Sequence, residues 1–399
     1  MPATSFSPNE QRRGVALCLS GGGFRAALFH LGSLRRLNEA GVLANITTIT
    51  SVSGGSIASG LLAKMWKNFL IQNGVIQNFN DYETALRDFC SHDLRTAPLL
   101  WERLDPRNWP TFLSEDHSVT DFLVHAYEDR LVKAMLLGDM SVRGGPGEPK
   151  FIFCASNLQT GVNFELSGER IGDYMLGYAS APEIPLSEAI AASSAFPIAF
   201  PPLILKMDPA RFTGGKLGNS VLQIQLARRI VLSDGGVYDN LGLEPVWKTH
   251  KTVLCSDGGK PFGISMDVGQ SIVPRLLRSQ EVMSNQALAL RRRWLISSFE
   301  NKVYEGCYWG IATEIGNYPQ HGPGYLGEVL AKLREVRTDL NVFTQGEQVV
   351  LMNHGWALTD AALRSHGGAI AKRPLPPGQP PDERLYRQST TQGRDRNDC

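Results

Sequence analysis

The sequence lacks the patterns that mark a membrane-spanning, secreted or metal-binding chain. It has no run of about 18 apolar residues, so no spanning helix is expected. Its opening, MPATSFSPNEQRRG, lacks the apolar centre of a secretory signal. No H-E-x-x-H, paired C-x-x-C or EF-hand spacing occurs, and neither a metal nor another cofactor is expected. Cysteine is sparse: the six are Cys18, Cys90, Cys154, Cys255, Cys307 and Cys399, none in a C-x-x-C pair. Buried free thiols in a reducing compartment are the expectation. Neither sign of charge is in excess, with 40 basic and 39 acidic residues, which removes any global attraction to nucleic acid or an anionic membrane. No repeat with a period of about 20–50 residues is present. The expected protein is cytoplasmic and touches membranes only peripherally and transiently. Its oligomeric state is open.

What is present is a globular composition, 42% apolar and 20% charged, with chain enough for a large core. The organising stretch runs from Leu17 to Gly60. Val15 to Leu19 is a short apolar run suited to a buried strand. Gly21, Gly22 and Gly23 then remove every side chain from three successive positions. From Phe24 to Ala40 the residues Ala27, Leu31, Leu34 and Leu37 recur at helical spacing, and Gly41 stands where a C-terminal cap glycine would. Ile46 to Thr50 is a β-branched run that leads into Ser51-Val52-Ser53-Gly54-Gly55. A serine at a strand end, followed by two glycines and a helix, has the form of a nucleophile elbow.

Such a turn lifts a hydroxyl clear of the sheet, at the positive end of the following helix. Backbone N–H groups at Gly21, Gly22 and Gly23 can approach an anion unobstructed. The stretch therefore offers a nucleophile, Ser53, and an oxyanion hole. An ordinary strand-to-helix loop and a phosphate loop are the competing readings; the absence of G-K-[ST] and of G-x-G-x-x-G at that turn counts against a nucleotide. Two copies of Asp-Gly-Gly follow later, Asp234-Gly235-Gly236 and Asp257-Gly258-Gly259. Among eight histidines, His250 follows Asp234 in the Ser…Asp…His order of α/β-hydrolases, which keeps a triad open. Its setting, Trp247-Lys248-Thr249-His250-Lys251, reads as an exposed helix end. His30 lies on the first helix, where a hydrogen-bonded core imidazole is the ordinary reading.

Taken in order, Ser20-Gly21-Gly22-Gly23-Phe24-Arg25-Ala26, the Ser53 elbow, Ala192-Ser193-Ser194-Ala195-Phe196-Pro197 and Leu232-Ser233-Asp234-Gly235-Gly236 resemble the patatin-like phospholipases over residues 14–260. The glycine loop with Phe24-Arg25-Ala26 is also similar to that of the cytosolic phospholipases of the same superfamily. One position departs: the family pattern is G-x-S-x-G, and this chain has Ser51 first. The resemblance implies a three-layer α/β/α fold with a largely parallel central sheet. It implies lipid acyl hydrolysis of the phospholipase A or lysophospholipase type, through a Ser53–Asp234 dyad with Asp234 as general base and Gly21, Gly22 and Gly23 as oxyanion hole. Arg25 would support that loop or meet a lipid phosphate, and Gly55, Gly235 and Gly236 would complete the two turns. Asp234 is preferred to Asp257 because it alone follows Ala192 to Pro197 and precedes Val237 to Gly242 as in the family. The alternative is a lipid-binding or regulatory protein of this fold that has lost hydrolysis, for which Ser51 is the support. Phospholipid or lysophospholipid is the expected partner.

The rest of the chain predicts one catalytic domain over 14–370, with a motif core at 14–260 and a helical extension at 270–370. A disordered tail is expected over 371–399, where prolines cluster between Pro374 and Pro381. Trp101, Trp109 and Phe112 lie in a stretch that reads as a helical layer or as a cap, and are the candidate lipid contacts. Phe151 to Ser156 and Val162 to Leu166 predict a hairpin. Leu222 to Leu226 and Arg229 to Leu232 read as alternating, strand-like runs leading into Asp234. Ile272 to Phe299 predicts a long helix whose Arg291-Arg292-Arg293 run is a solvated face, and Gln345 to Arg364 an amphipathic helix.

Overall fold

The computed structural model describes residues 12–94 and 119–383, apart from 198, 267, 270, 372 and 373. Its strands are β1 (Val15–Leu19), β2 (Thr48–Ser51), β3 (Ile71–Gln72), β4 (Val75–Ile76), β5 (Lys150–Asn157), β6 (Val162–Ser167), β7 (Ile171–Asp173), β8 (Gly177–Ala179), β9 (Leu203–Leu205), β10 (Ile230–Asp234), β11 (Thr252–Asp257) and β12 (Glu305–Gly310). The α-helices are α1 (Gly23–Glu39), α2 (Gly54–Trp66), α3 (Phe79–Phe89), α4 (Val119–Tyr127), α5 (Leu186–Ser194), α6 (Val221–Arg228), the single turn α7 (Gly236–Asp239), α8 (Ile272–Glu300), α9 (Gly327–Glu335) and α10 (Gln345–His366).

The main sheet runs β12-β11-β1-β2-β5-β6-β7-β8. Its first five strands are parallel, and β5 to β8 form an antiparallel continuation. Strand β10 pairs antiparallel with β5 and with β9. Side chains alternate across β1: Leu17 and Leu19 join the core beneath α1, α2 and α10, while Ala16 and Cys18 face Leu241, Val246 and Leu295 of α8 on the other side. That period of two makes the sheet the middle of three layers. Cys18, Cys90, Cys154, Cys255 and Cys307 are buried and free. Among the described residues, no helix is long and apolar enough to cross a membrane.

Helices α1 and α10 cross with their backbones in contact. A Cβ on Gly32 would lie 1.9 Å from the Met352 carbonyl oxygen, and one on Gly355 would lie 2.0 Å from that of Phe29. Beside the crossing, buried Arg36 donates to Asp360 at 2.8 Å and lies 5.4 Å from the centre of the Trp356 ring. Helix α10 is buried without interruption from Leu351 to Leu363, so it is a core helix and not the amphipathic one its pattern predicts. The proline-rich segment covers part of its outer side. Arg36 also donates to the Pro376 carbonyl at 2.8 Å, and Asn353 exchanges two hydrogen bonds with the Asp382 backbone. Pro376 and Asp382, within the expected disordered tail, are thus hydrogen-bonded to Arg36 and Asn353. Residues 384–399, and Trp101, Trp109 and Phe112, lie outside the described residues.

Two further expectations change. Val221 to Arg228 is helix α6, not a strand; Ser220 caps it by accepting from the Gln223 N–H at 3.2 Å. A short alternating apolar run does not by itself separate the two states. In the arginine run, Arg291 pairs with Glu244 at 3.3 Å and Asp239 at 3.7 Å, Arg292 is half-buried beside Tyr308, and Arg293 alone is exposed.

Because Gly32 and Gly355 have no room for a methyl group, Gly32→Ala or Gly355→Ala forces the two helices apart. Each should lower stability in urea unfolding by about 1–3 kcal/mol. Gly346→Ala, in the first turn of the same helix with open space around it, should be neutral or stabilising by up to about 1 kcal/mol. Equal losses at all three positions would contradict the close crossing.

Candidate active site

Ser53 and Asp234 are distant in sequence, and the register of one strand brings them together. Ser51 at the end of β2 pairs with Phe153 of β5, while Asp234 at the end of β10 pairs with Ala155, two residues farther along β5. Strand β2 leaves the edge of β5 where β10, running the other way, joins it. Ser53 lies two residues beyond Ser51 and so reaches the level of Asp234. Ser53 and Asp234 line the same cavity, close enough that the Ser53 side chain lowers the Asp234 pKa, and the Gly236 N–H donates to Asp234 Oδ1 at 2.7 Å.

The elbow is strained and tightly held. Ser53 has φ 50° and ψ −118°, a conformation that costs a non-glycine residue about 1–3 kcal/mol. Its N–H donates to both the carbonyl and the hydroxyl oxygen of Ser193 at 3.1 Å. The same carbonyl accepts from the Gly235 N–H at 3.2 Å, and the Asp234 N–H donates to the Ala195 carbonyl at 2.9 Å. The end of α5 therefore staples both turns to one another. Sequence reading passed over Ser193 as a site residue, although Ala192 to Pro197 was itself a signal. Ser51, the departure from the family pattern, is buried and accepts from Ser56 Oγ at 3.0 Å and Ser59 Oγ at 2.7 Å. Its hydroxyl belongs to the elbow helix and not to the cavity.

The glycine loop lies against the elbow backbone to backbone. A Cβ on Gly54 would meet the Gly23 carbonyl oxygen at 2.0 Å, and one on Gly55 that of Leu19 at 2.3 Å. Gly22 and Gly23 have φ 143° and 60°. The N–H groups of Gly22, Gly23 and Gly54 stand at the starts of α1 and α2, where no intrahelical carbonyl reaches them. Gly21 differs from the expected set because its N–H already donates to the Asn240 carbonyl at 3.1 Å. Gly54 was not among the expected donors. Gly235 packs against the Cys154 carbonyl, where a Cβ would come within 2.3 Å.

Arg25 is fully buried and cannot meet a lipid phosphate. Its Nε and Nη2 donate to the Gly258 carbonyl at 3.2 and 2.8 Å, and Nη1 donates to that of Val336 at 2.9 Å. Burial pushes its pKa down to about 10 against the pull of Asp257 and Glu335. It ties the helix behind the glycine loop to the second Asp-Gly-Gly. There Asp257 ends β11 in a turn, accepting from the Gly259 N–H at 2.9 Å and the Tyr308 hydroxyl at 2.7 Å.

His250 sits at the wrong end of the sheet for a triad. Its Nε2 lies 2.9 Å from Thr48 Oγ1, at the start of β2, and Ser53 follows that strand's other end. Five extended residues separate the two by roughly 16 Å. His250 is half-buried, not an exposed helix end, and burial pushes its pKa down to about 4. His30 is fully buried, 2.8 Å from Ser256 Oγ and 2.9 Å from the Ser20 carbonyl. Among the described residues no histidine lines the cavity above Ser53, and none of their side chains cluster to hold a metal.

That cavity measures about 540 Å³, within the range of small-molecule sites. Gly22, Gly23, Ser53 and Asp234 lie along it, and Phe196, Phe200, Phe262 and Leu340 give it apolar walls. Burial raises the Asp234 pKa to about 6, partly offset by the Gly236 N–H and then the Ser53 hydroxyl. A carboxyl with a raised folded-state pKa binds its proton more tightly in the native protein. The native state therefore loses stability as pH rises from about 4 through about 6, by as much as roughly 3 kcal/mol. Asp234→Asn removes that burden. Thermal unfolding should show the variant gaining on the unaltered protein between pH 4 and pH 7; a constant difference over that range would refute the buried carboxylate.

Comparison with known proteins agrees with this architecture. Human GIVD cytosolic phospholipase A2 superposes with a TM-score of 0.51 at 13% identity, over 91% of this chain and 60% of that one. Its complex with methyl gamma-linolenyl fluorophosphonate and terbium chloride gives a TM-score of 0.51 at 13% identity, over 92% and 60% of the two chains. This chain thus spans about three fifths of the human chain's length, and at that identity the likeness is one of fold. No curated protein sequence matches. A sequence model described as patatin-like phospholipase matches residues 17–247, more than half of the chain, and that span contains the glycine loop, the elbow and the first Asp-Gly-Gly. The chain belongs to the patatin-like phospholipase family.

Proposed function

We propose that this protein hydrolyses carboxylic esters of lipids, with Ser53 as nucleophile and Asp234 as its general base. The observation that carries this reading is that Ser53, held at positive φ, lines one cavity with Asp234 and has its side chain close enough to lower the Asp234 pKa. An ordinary aspartate, with a pKa near 4, is a weak base; one raised to about 6 is stronger and still ionised at neutral pH. Ser53 Oγ attacks the acyl carbonyl while Asp234 takes its proton. The tetrahedral oxyanion faces the N–H groups of Gly22, Gly23 and Gly54, each well-placed donor contributing about 3–4 kcal/mol. The proton passes to the leaving alcohol oxygen, and a water deprotonated by Asp234 then releases the acyl group.

The substrate class follows from the family and from the cavity, whose phenylalanines and Leu340 suit an acyl chain. The human neighbour is a phospholipase A2, which favours a phospholipid or lysophospholipid. The buried position of the Ser51 hydroxyl counts against a lipid-binding protein that has lost hydrolysis.

Ser53→Ala and Asp234→Asn should each lower turnover of a short-chain ester by roughly a thousandfold or more, and the double variant little further, since the two act as a unit. The base must be ionised, so kcat/KM should fall about tenfold per pH unit below about 6 and level off above it. A fluorophosphonate should label the unaltered protein and not Ser53→Ala. His250→Ala should stay within about tenfold, a barrier change near 1.4 kcal/mol. Full activity in Asp234→Asn with loss in Asp257→Asn would transfer the role to the other aspartate.

A further inference from the structure

The first five turns of α8 hold no buried residue, and one side of them, including Leu277, Asn285 and Leu288, is partly covered. The only buried residues of that 29-residue helix are Leu295 and Ser298, near its C-terminal end. There Trp294 packs edge-on against Trp247 and Tyr304, at ring-centre distances of 5.1 and 5.7 Å. From Ile272 to Leu290 the helix runs beside the cavity, to which it contributes, with Arg278 and Gln280 at the flanks, the four residues Glu281, Ser284, Asn285 and Leu288. At 100° per residue those four centre on one face, and Ile272, Leu276, Met283 and Leu290 fall within about 40° on the opposite face. The latter are 66%, 64%, 63% and 52% exposed. The loop before the helix adds Ile264 and Met266, 94% and 99% exposed, and Ile264 also lines the cavity.

We infer that this stripe and loop tip form the surface by which the protein docks on an anionic lipid bilayer. The inference rests on the reading of the cavity as a lipid esterase site. Charge favours that occupant: residues 272–293 hold five arginines and one acid, Glu281, which Arg278 occupies at 2.8 Å. Lys260, Arg275 and Arg293 are exposed, with no ion pair among the described residues. Arg275 and Arg293 lie five whole turns apart, on one line along the edge of the stripe. An apolar face bordered by cations is the form of a helix that lies in the headgroup boundary. A second copy of the chain fits less well, because a stable dimer uses about 20–30 residues a side and this stripe is one helix face and a loop. Docked in this way, α8 stands between the lipid and the cavity, and Ile264, exposed on the loop before the helix and lining the cavity, connects the two.

The test uses Ser53→Ala protein, so that vesicles are not consumed, and measures co-sedimentation with phosphatidylcholine vesicles containing phosphatidylserine. Adding Leu276→Ser and Met283→Ser should lower partitioning at least tenfold, with far-UV circular dichroism and melting unchanged. Val221→Ser with Leu222→Ser, equally exposed apolar residues on α6, should leave it unaltered. Arg275→Gln with Arg293→Gln should weaken binding to the mixed vesicles and not to phosphatidylcholine alone. The inference is overturned if the Ser53→Ala protein ignores vesicles, if the α8 serines have no effect, or if the α6 serines have the same one. A dimer in analytical ultracentrifugation that the α8 serines dissociate would overturn it also. Fluorophosphonate labelling of the unaltered chain reports on the esterase reading separately, so failure of either is told from failure of the other.

Discussion

Everything at the site depends on β5 being shared along one edge by two strands that arrive from opposite directions. Strand β2 pairs with its first half and β10 with its last residues. One strand ends in the Ser53 elbow and the other in the Asp234 turn, so a hydroxyl and a carboxyl meet over the gap between them. A shift of either register by one residue would turn every side chain of that strand to the other face. Both registers are fixed by burial: Ile49, Phe153 and Leu232 all sit in the core. The precision of the site is therefore inherited from sheet packing.

That arrangement carries two local costs, a serine at positive φ and a carboxylate out of water. The surroundings hold both in place. Ser193 and Ala195 accept hydrogen bonds from the Ser53, Asp234 and Gly235 N–H groups, and Ser193 Oγ donates to the Cys154 carbonyl of β5 at 2.6 Å. Behind the glycine loop, α1 is locked against α10 by the Gly32–Gly355 crossing and the Arg36–Asp360 pair. The first turn of α1 thus has little freedom to retreat. A helix start that cannot move presents its N–H groups without reorganisation, which is the condition under which such donors act on developing charge.

The architecture is less rigid outward from the cavity. Its base is built from fully packed elements, while its rim includes a loop and a helix half with no buried residue. The arginine run divides the two regimes. Arg291 fastens α8 to Asp239 and Glu244, and Arg292 lies half-buried beside Tyr308, close to the Asp234 turn and the second Asp-Gly-Gly. No residue before them on the helix is buried.

The sequence by itself determined the elbow and the glycine loop, because each is local: a short apolar run, a turn only small residues enter, and a helix start follow from neighbouring residues. The hairpin of β5 and β6 was legible for the same reason. The fold class was legible through the order and spacing of the motifs that resemble the family. Only tertiary structure decided what depends on partners far along the chain. The Gly21 N–H is engaged because the Asn240 carbonyl happens to stand over it, and Arg25 is a buried clamp because Gly258 and Val336 converge on it. His250 is excluded by the direction of β2, which sequence order does not reveal. Helix α10 reads as amphipathic until the segment containing Pro376 and Asp382 covers part of its outer side. Local propensity names an element; which face of it is buried is set by what the rest of the chain brings to it.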